Sequence, residues 1–121
     1  MAGETSELGR WGEKEAAKFL RHLGYDVLEK NFVCPAGEID IVAREGDELV
    51  FVEVKTRTEA DFGGPLAAVN ATKRRKLALV ASSYLARRRA GELPCRFDVV
   101  GVTRKPGGEG EIEHVRDAFQ L

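Results

Sequence analysis

Apolar positions recur along the chain with two different periods. Leu8, Trp11, Ala16, Phe19, Leu20 and Leu23 fall at helical spacing, with Ser6 placed to cap the helix and Gly24 placed to end it. A second stripe joins Leu77, Val80, Ala81, Tyr84 and Leu85, with Gly91 and Pro94 beyond it. Elsewhere the period is two, in "YDVLEKNF", twice within "GEIDIVAREGDELVFVEVKTR", and in "CRFDVVGVT" and "EIEHVRDAF" on either side of a "KPGGEG" turn. "CPAG" reads as a turn and "TEADFGGP" as a flexible loop. The resulting order is α-β-β-β-α-β-β. It predicts an α/β fold with a mixed sheet and a helix on each side. A strand–helix–strand crossover through the second helix makes the Phe97 strand parallel to the Glu53 strand.

The central hairpin can be given a register. Gly46-Asp47 suits a two-residue type II′ turn, which pairs Glu45 with Glu48. Antiparallel counting then sets Asp40 opposite Glu53 and Glu38 opposite Lys55. Alternation places Glu38, Asp40, Val42, Phe51, Glu53 and Lys55 on one face, and Ile39, Ile41, Val50, Val52 and Val54 on the other. Both faces are largely apolar, so the strand pair is expected to be covered on both sides.

Composition narrows the picture. A chain of 121 residues, 43% hydrophobic and 32% charged, suits one soluble globular domain. No signal-peptide pattern or membrane-length apolar run is present, so a cytoplasmic location is expected. Cys34 and Cys95 form no zinc-binding array and read as free thiols. Net charge is -1, which by itself argues for no nucleic-acid partner. Its distribution does: no acidic residue falls between Asp61 and Glu92, a span that contains Lys73, Arg74, Arg75, Lys76, Arg87, Arg88 and Arg89. With no acid inside the helix to pair them, these cations suit phosphate contact, against the plainer alternative of a solvated helix face.

The candidate chemistry lies in the hairpin. Opposed carboxylates are destabilising, so Asp40 against Glu53 needs compensation. Two hard oxygen ligands suit Mg²⁺, which takes one or two carboxylates plus water and phosphate oxygens. The neighbouring Lys55 ammonium then orients water or neutralises charge growing on phosphorus. The plainer alternatives are ordinary solvent-facing carboxylates and a Lys55–Glu38 ion pair. Glu13 sits at the edge of the first apolar stripe, and Lys73 on the inward side of the second helix. Neither His22 nor His114 has ligand-like spacing, and Trp11 reads as a core residue.

"EID" followed by "EVK" resembles the metal-binding signature of the PD-(D/E)XK, or restriction-endonuclease-like, nuclease superfamily. Through "GRWGEKEAAKFL", "GEIDIVA", "FVEVKTR", "KRRKL" and "RFDVV", the chain is similar from Gly9 to Phe119 to the YraN-like uncharacterised bacterial family within it, and to archaeal Holliday junction resolvases. The resemblance implies a restriction-endonuclease-like fold and Mg²⁺- or Mn²⁺-dependent cleavage of nucleic acid. DNA is favoured over RNA on this ground alone. Asp40 and Glu53 match the metal ligands, with the Val54 carbonyl as a third. Lys55 matches the catalytic lysine, Glu13 the first-helix acid of the resolvase-like branch, and Glu38 belongs to the "GEID" block. Arg57, Lys73, Arg74, Arg75 and Lys76 are the expected nucleic-acid contacts, and a protein partner or homodimer is the other expected association. Ile39 stands at the motif's proline, and Val69 where some relatives have glutamine. Asp98 matches a family position without an assignable chemical role.

Two other classes compete with a nuclease. One is a non-catalytic nucleic-acid-binding or assembly module on the same fold. The other is a retaining glycosidase, which needs two carboxylates roughly 5–5.5 Å apart but also sugar-stacking aromatics that the hairpin lacks.

Overall fold

The computed structural model describes residues 6–58, 69–91 and 93–119. Its elements follow the order that the patterning predicts: α1 (Glu7–His22), β1 (Asp26–Cys34), β2 (Gly37–Glu45), β3 (Glu48–Thr58), α2 (Ala71–Arg87), β4 (Cys95–Arg104) and β5 (Gly110–Phe119). Most of the "TEADFGGP" loop lies outside the described residues.

Local chemistry accounts for the helix ends. The Ser6 hydroxyl accepts the Gly9 N–H at 3.0 Å, and the Asn70 side chain accepts the Lys73 N–H at 2.9 Å, each capping a helix N-terminus. At the C-terminus of α1, Gly24 adopts φ +95°, its N–H reaches the Arg21 carbonyl and the Tyr25 N–H reaches that of Leu20. This is a Schellman turn, which favours glycine at its left-handed position.

The strands form one sheet in the order β1-β2-β3-β4-β5, with β3 and β4 parallel and the other pairs antiparallel. Gly46 has φ +60° while Asp47 keeps ordinary backbone geometry, and the hairpin pairs Glu45 with Glu48 and Ile41 with Val52 as the type II′ register requires. On one face, Leu77, Val80, Ala81 and Tyr84 of α2 pack against Phe51, Phe97 and Val99. On the other, Ala16, Ala17 and Leu20 of α1 cover Ile41, Val50, Val52 and Val100. Each such large aliphatic or aromatic side chain contributes about 1.5–3 kcal/mol of apolar burial.

Two sequence expectations need correction. The buried stripe of α1 includes Gly12 and Ala17, whereas Leu23 is 49% exposed. The helix is seated by close approach at Gly12, Ala16 and Ala17 together with the fully buried Leu20. Strict alternation also fails in β2, because Ile39 lies in the α2-side core while Ile41 lies in the α1-side core. Pairing with β1 passes from Lys30↔Ile41 to Phe32↔Ile39, stepping over Asn31 and Asp40, and Asn31 has φ +55°. This irregularity turns both strands over at one level, which strict alternation cannot anticipate. Among the described residues no helix is long and apolar enough to cross a membrane.

Candidate functional site

The irregular level of β2 coincides with a fork in the sheet. Pairing between β2 and β3 ends at Ile41↔Val52, although β3 continues beside β4 as far as Thr58↔Arg104. Beyond the fork Val54 has no backbone partner in β2. The Asp40 carboxyl takes that place and accepts the Val54 N–H at 2.7 Å. The N–H and C=O of one residue point to the same strand edge, so the Val54 carbonyl also faces the fork. The expected Glu38–Lys55 pairing does not form, because the ladder stops before reaching it.

Asp40 and Glu53 remain in contact across the fork. Burial first, and then the charge of Glu53, push the Asp40 carboxyl up to about 8. Glu53 also receives the Lys73 ammonium at 2.9 Å. Burial opposes the charge on Lys73, but its hydrogen bond to Glu53 and the charges of Glu53, Asp40 and Glu38 prevail and raise its pKa. Glu13 projects from α1 toward the same group. Burial raises its pKa, the Asn31 side chain donates a hydrogen bond that lowers it, and Glu38 and Glu53 raise it further. Glu38 contributes a buried Oε2 that has no hydrogen-bond partner.

Two cavities meet at this cluster. One, of about 340 Å³, lies between α1 and β3 and is lined by Ser6, Glu13, Glu53, Val54, Lys55 and Lys73 among others. The second, of about 250 Å³, lies between β2 and α2, against Glu38, Asp40, Glu53, Lys73, Lys76 and Leu77. The fold therefore brings together Glu13, Glu38, Asp40, Glu53, Val54, Lys55, Lys73 and Lys76. Arg57 lines neither cavity and donates to Thr103 at 3.4 Å. Arg74 lies 5.2 Å above the Phe119 ring, and Arg75 donates to Thr72. Val69 is buried in the core beneath α2 and offers the cluster no polar group.

The donor set fits a divalent cation. Among the described residues no three carboxylates close into a preformed cage. The Asp40–Glu53 pair and the Val54 carbonyl nevertheless match the sparse oxygen set of Mg²⁺, which keeps several waters. An unpartnered buried carboxylate oxygen at Glu38 and a proton held by Asp40 are the conditions that a cation relieves.

Three partners escaped the sequence reading. Asn31, a polar residue interrupting a strand, is the residue type that tolerates the left-handed conformation it adopts, and it holds Glu13. The basic segment is not wholly uncompensated, because Arg88 makes a two-pronged ion pair with Glu29 of β1 at 2.8 Å. His114 does meet an acid: its Nε2 lies 2.7 Å from Asp98, which Arg96 also contacts at 3.0 Å. Asp98 thus belongs to a separate buried network with Arg96, Tyr25, Glu45 and Glu48, toward the turn end of the hairpin.

Comparison with known proteins places no activity on these residues. Residues 12–102 match the model of the "Uncharacterised protein family UPF0102". A UPF0102 protein of Syntrophotalea carbinolica is 47% identical over 100% of this chain and 98% of its own length. That of Geotalea daltonii is 44% identical over 98% of this chain and 93% of its own. That of Caldicellulosiruptor saccharolyticus is 45% identical over 93% of this chain and 97% of its own.

Proposed function

We propose that this chain, which belongs to the uncharacterised bacterial protein family UPF0102, is an Mg²⁺- or Mn²⁺-dependent nuclease with a restriction-endonuclease-like fold. Its proposed substrate is nucleic acid, with DNA taken first. The observation that carries the reading is the strand fork, where Asp40 inserts its carboxyl beside Glu53 and takes a hydrogen bond from the Val54 N–H. The ammonium beside the pair sits on Glu53, and Asp40 is left facing another acid.

The residues divide the chemistry between them. Asp40, Glu53 and the Val54 carbonyl would hold the cation, which when bound supplies Lewis-acid activation of water and neutralises phosphate charge. Lys55, exposed at the mouth of the first cavity, orients the attacking water and stabilises charge growing on phosphorus. Its role is electrostatic positioning rather than proton removal. Glu13, held by Asn31, and Glu38 line the approach to the carboxylates and bind waters or a further cation. Lys76 contributes a phosphate contact from α2.

The test is incubation with branched, duplex and single-stranded DNA and RNA in Mg²⁺, Mn²⁺ or EDTA. Cleavage is expected only with metal, and Asp40→Ala, Glu53→Ala and Lys55→Ala are expected to lose it while retaining nucleic-acid affinity. Cleavage in EDTA, or full activity in Glu53→Ala, excludes the mechanism. Binding without cleavage of any substrate would identify a non-catalytic module instead.

A further inference from the structure

Glu53 and Lys73 line both cavities, so their ion pair stands where the two meet. We propose that the Lys73 ammonium is a stand-in for the divalent cation. It neutralises Glu53 while the site is empty of metal, and it is released to contact a substrate phosphate once metal takes the carboxylate. This inference rests on the metal-dependent reading above and adds a positioning residue to it. Departure of Lys73 from Glu53 would also open the two cavities into one groove running from α1 to α2.

Three features support the exchange. The Lys73 side chain is 43% exposed and that of Glu53 only 13%, so of the two partners the lysine is the one free to leave. Its backbone is anchored as well, because the Lys73 N–H is tied to the Asn70 cap. Movement is therefore confined to the flexible four-carbon stem, which keeps the ammonium near the site after release. Finally, Lys55 is not the group engaged: it lines the first cavity, but the ammonium on Glu53 comes from α2. The site thus has two lysines with separable duties.

The decisive measurement is Mn²⁺ binding to wild type, Lys73→Met and Lys73→Arg without nucleic acid, followed by calorimetry and by thermal melting. Competition from a partly exposed ion pair of about 1 kcal/mol corresponds to roughly a fivefold change in affinity. Lys73→Met is therefore expected to melt below wild type in EDTA yet bind Mn²⁺ about fivefold more tightly, while Lys73→Arg stays near wild type. In a Glu53→Gln background, Lys73→Met should no longer lower the melting temperature. A second measurement uses a Lys55→Ala background to suppress cleavage. There, Lys73→Met should reduce the salt slope of duplex binding by about 1 in Mn²⁺ and leave it unchanged in EDTA. Equal Mn²⁺ affinity in wild type and Lys73→Met overturns the stand-in role and leaves the metal reading intact. Absence of Mn²⁺ binding in both overturns the metal reading and this inference together, whereas binding by Lys73→Met alone supports both.

Discussion

Asp40 and Asp98 are the same residue type in neighbouring parts of one sheet, and each accepts a backbone N–H, from Val54 at 2.7 Å and from Asp117 at 3.0 Å. Their surroundings give them opposite character. Burial and the charge of Glu53 push Asp40 up to about 8. Burial also opposes the charge of Asp98, but His114, Arg96 and the Asp117 N–H outweigh it and lower its pKa. A raised folded-state pKa gives a contribution to stability that is full at acid pH and is lost as pH climbs from about 4 through 8; a lowered one is present above about 4 and lost as pH falls. In EDTA, Asp40→Asn is accordingly expected to melt at or above wild type near pH 8, by up to about 1 kcal/mol. Mn²⁺ should reverse that ranking, since a dication supplies both the charge of the Asp40 proton and that of Lys73. Metal bound only by the folded state adds about 2.7 kcal/mol at a hundredfold excess over Kd. Asp98→Asn should instead cost about 1–3 kcal/mol, because Arg96 keeps Glu45 and Glu48 but loses its buried carboxylate, as does His114. Melting curves of all three proteins from pH 4.5 to 8.5 test both assignments; an Asp40→Asn variant well below wild type at pH 8 would make that carboxylate structural.

The position of α1 depends on one missing side chain. A Cβ on Gly12 would lie 1.9 Å from Thr56 Oγ1 and 2.7 Å from Thr56 Cβ, so the helix rests directly on β3. The next residue is Glu13, and the close seat is what brings its carboxyl toward Glu38 and Glu53. Gly12→Ala is expected to destabilise the fold by about 1–3 kcal/mol, the usual cost of overpacking, and to displace Glu13 from the cluster. Thr56→Ala should restore only part of the loss, since the Cβ clash persists. Equilibrium unfolding in urea measures both effects, and a neutral Gly12→Ala would show that α1 shifts freely. On α2 the side chains sort by partner rather than by charge. Lys73 holds Glu53, Arg88 holds Glu29 and Arg74 covers Phe119.

Across the whole molecule, the two ionic clusters sit at different levels of the sheet and have different completeness. Arg96 is shared among Glu45, Glu48, Asp98 and Tyr25, so the network near the hairpin turn is satisfied. The fork brings four acids, Glu13, Glu38, Asp40 and Glu53, against Lys73 and leaves a buried oxygen of Glu38 unpartnered. Lys55 and Lys76 line the two cavities beside it, and Arg75 lies on the same helix as Lys76. Charge reversal at Arg75 and Lys76 is expected to weaken DNA binding and to lower the salt slope by about 0.9 for each phosphate that is no longer neutralised. Arg88→Ala should cost no more than about 1 kcal/mol of stability, as an exposed pair does, with little effect on binding. Fluorescence anisotropy across a salt series distinguishes these variants, and an unchanged slope in the Arg75 and Lys76 variants would make the basic face a solvated one.

The elements and the hairpin register were legible in the chain because their causes are local. Ser6 and Asn70 cap helices within three residues, Gly24 supplies a left-handed turn, and Gly46 fixes Glu45 against Glu48. Those signals also located Asp40, Glu53 and Lys55 near one another. Periodicity could not reveal that β2 turns over between Ile39 and Ile41, because the cause is a paired irregularity with Asn31 on a different strand. Nor could it find Lys73 on Glu53, Glu29 on Arg88, or His114 on Asp98. Alternation constrains a residue against its own strand or helix, whereas the state of a buried charge depends on whichever distant side chains packing brings to it. Two aspartates that each face a charged group of their own strand pair came to differ because packing added His114 and the Asp117 N–H to Asp98 and buried Asp40 against Glu53.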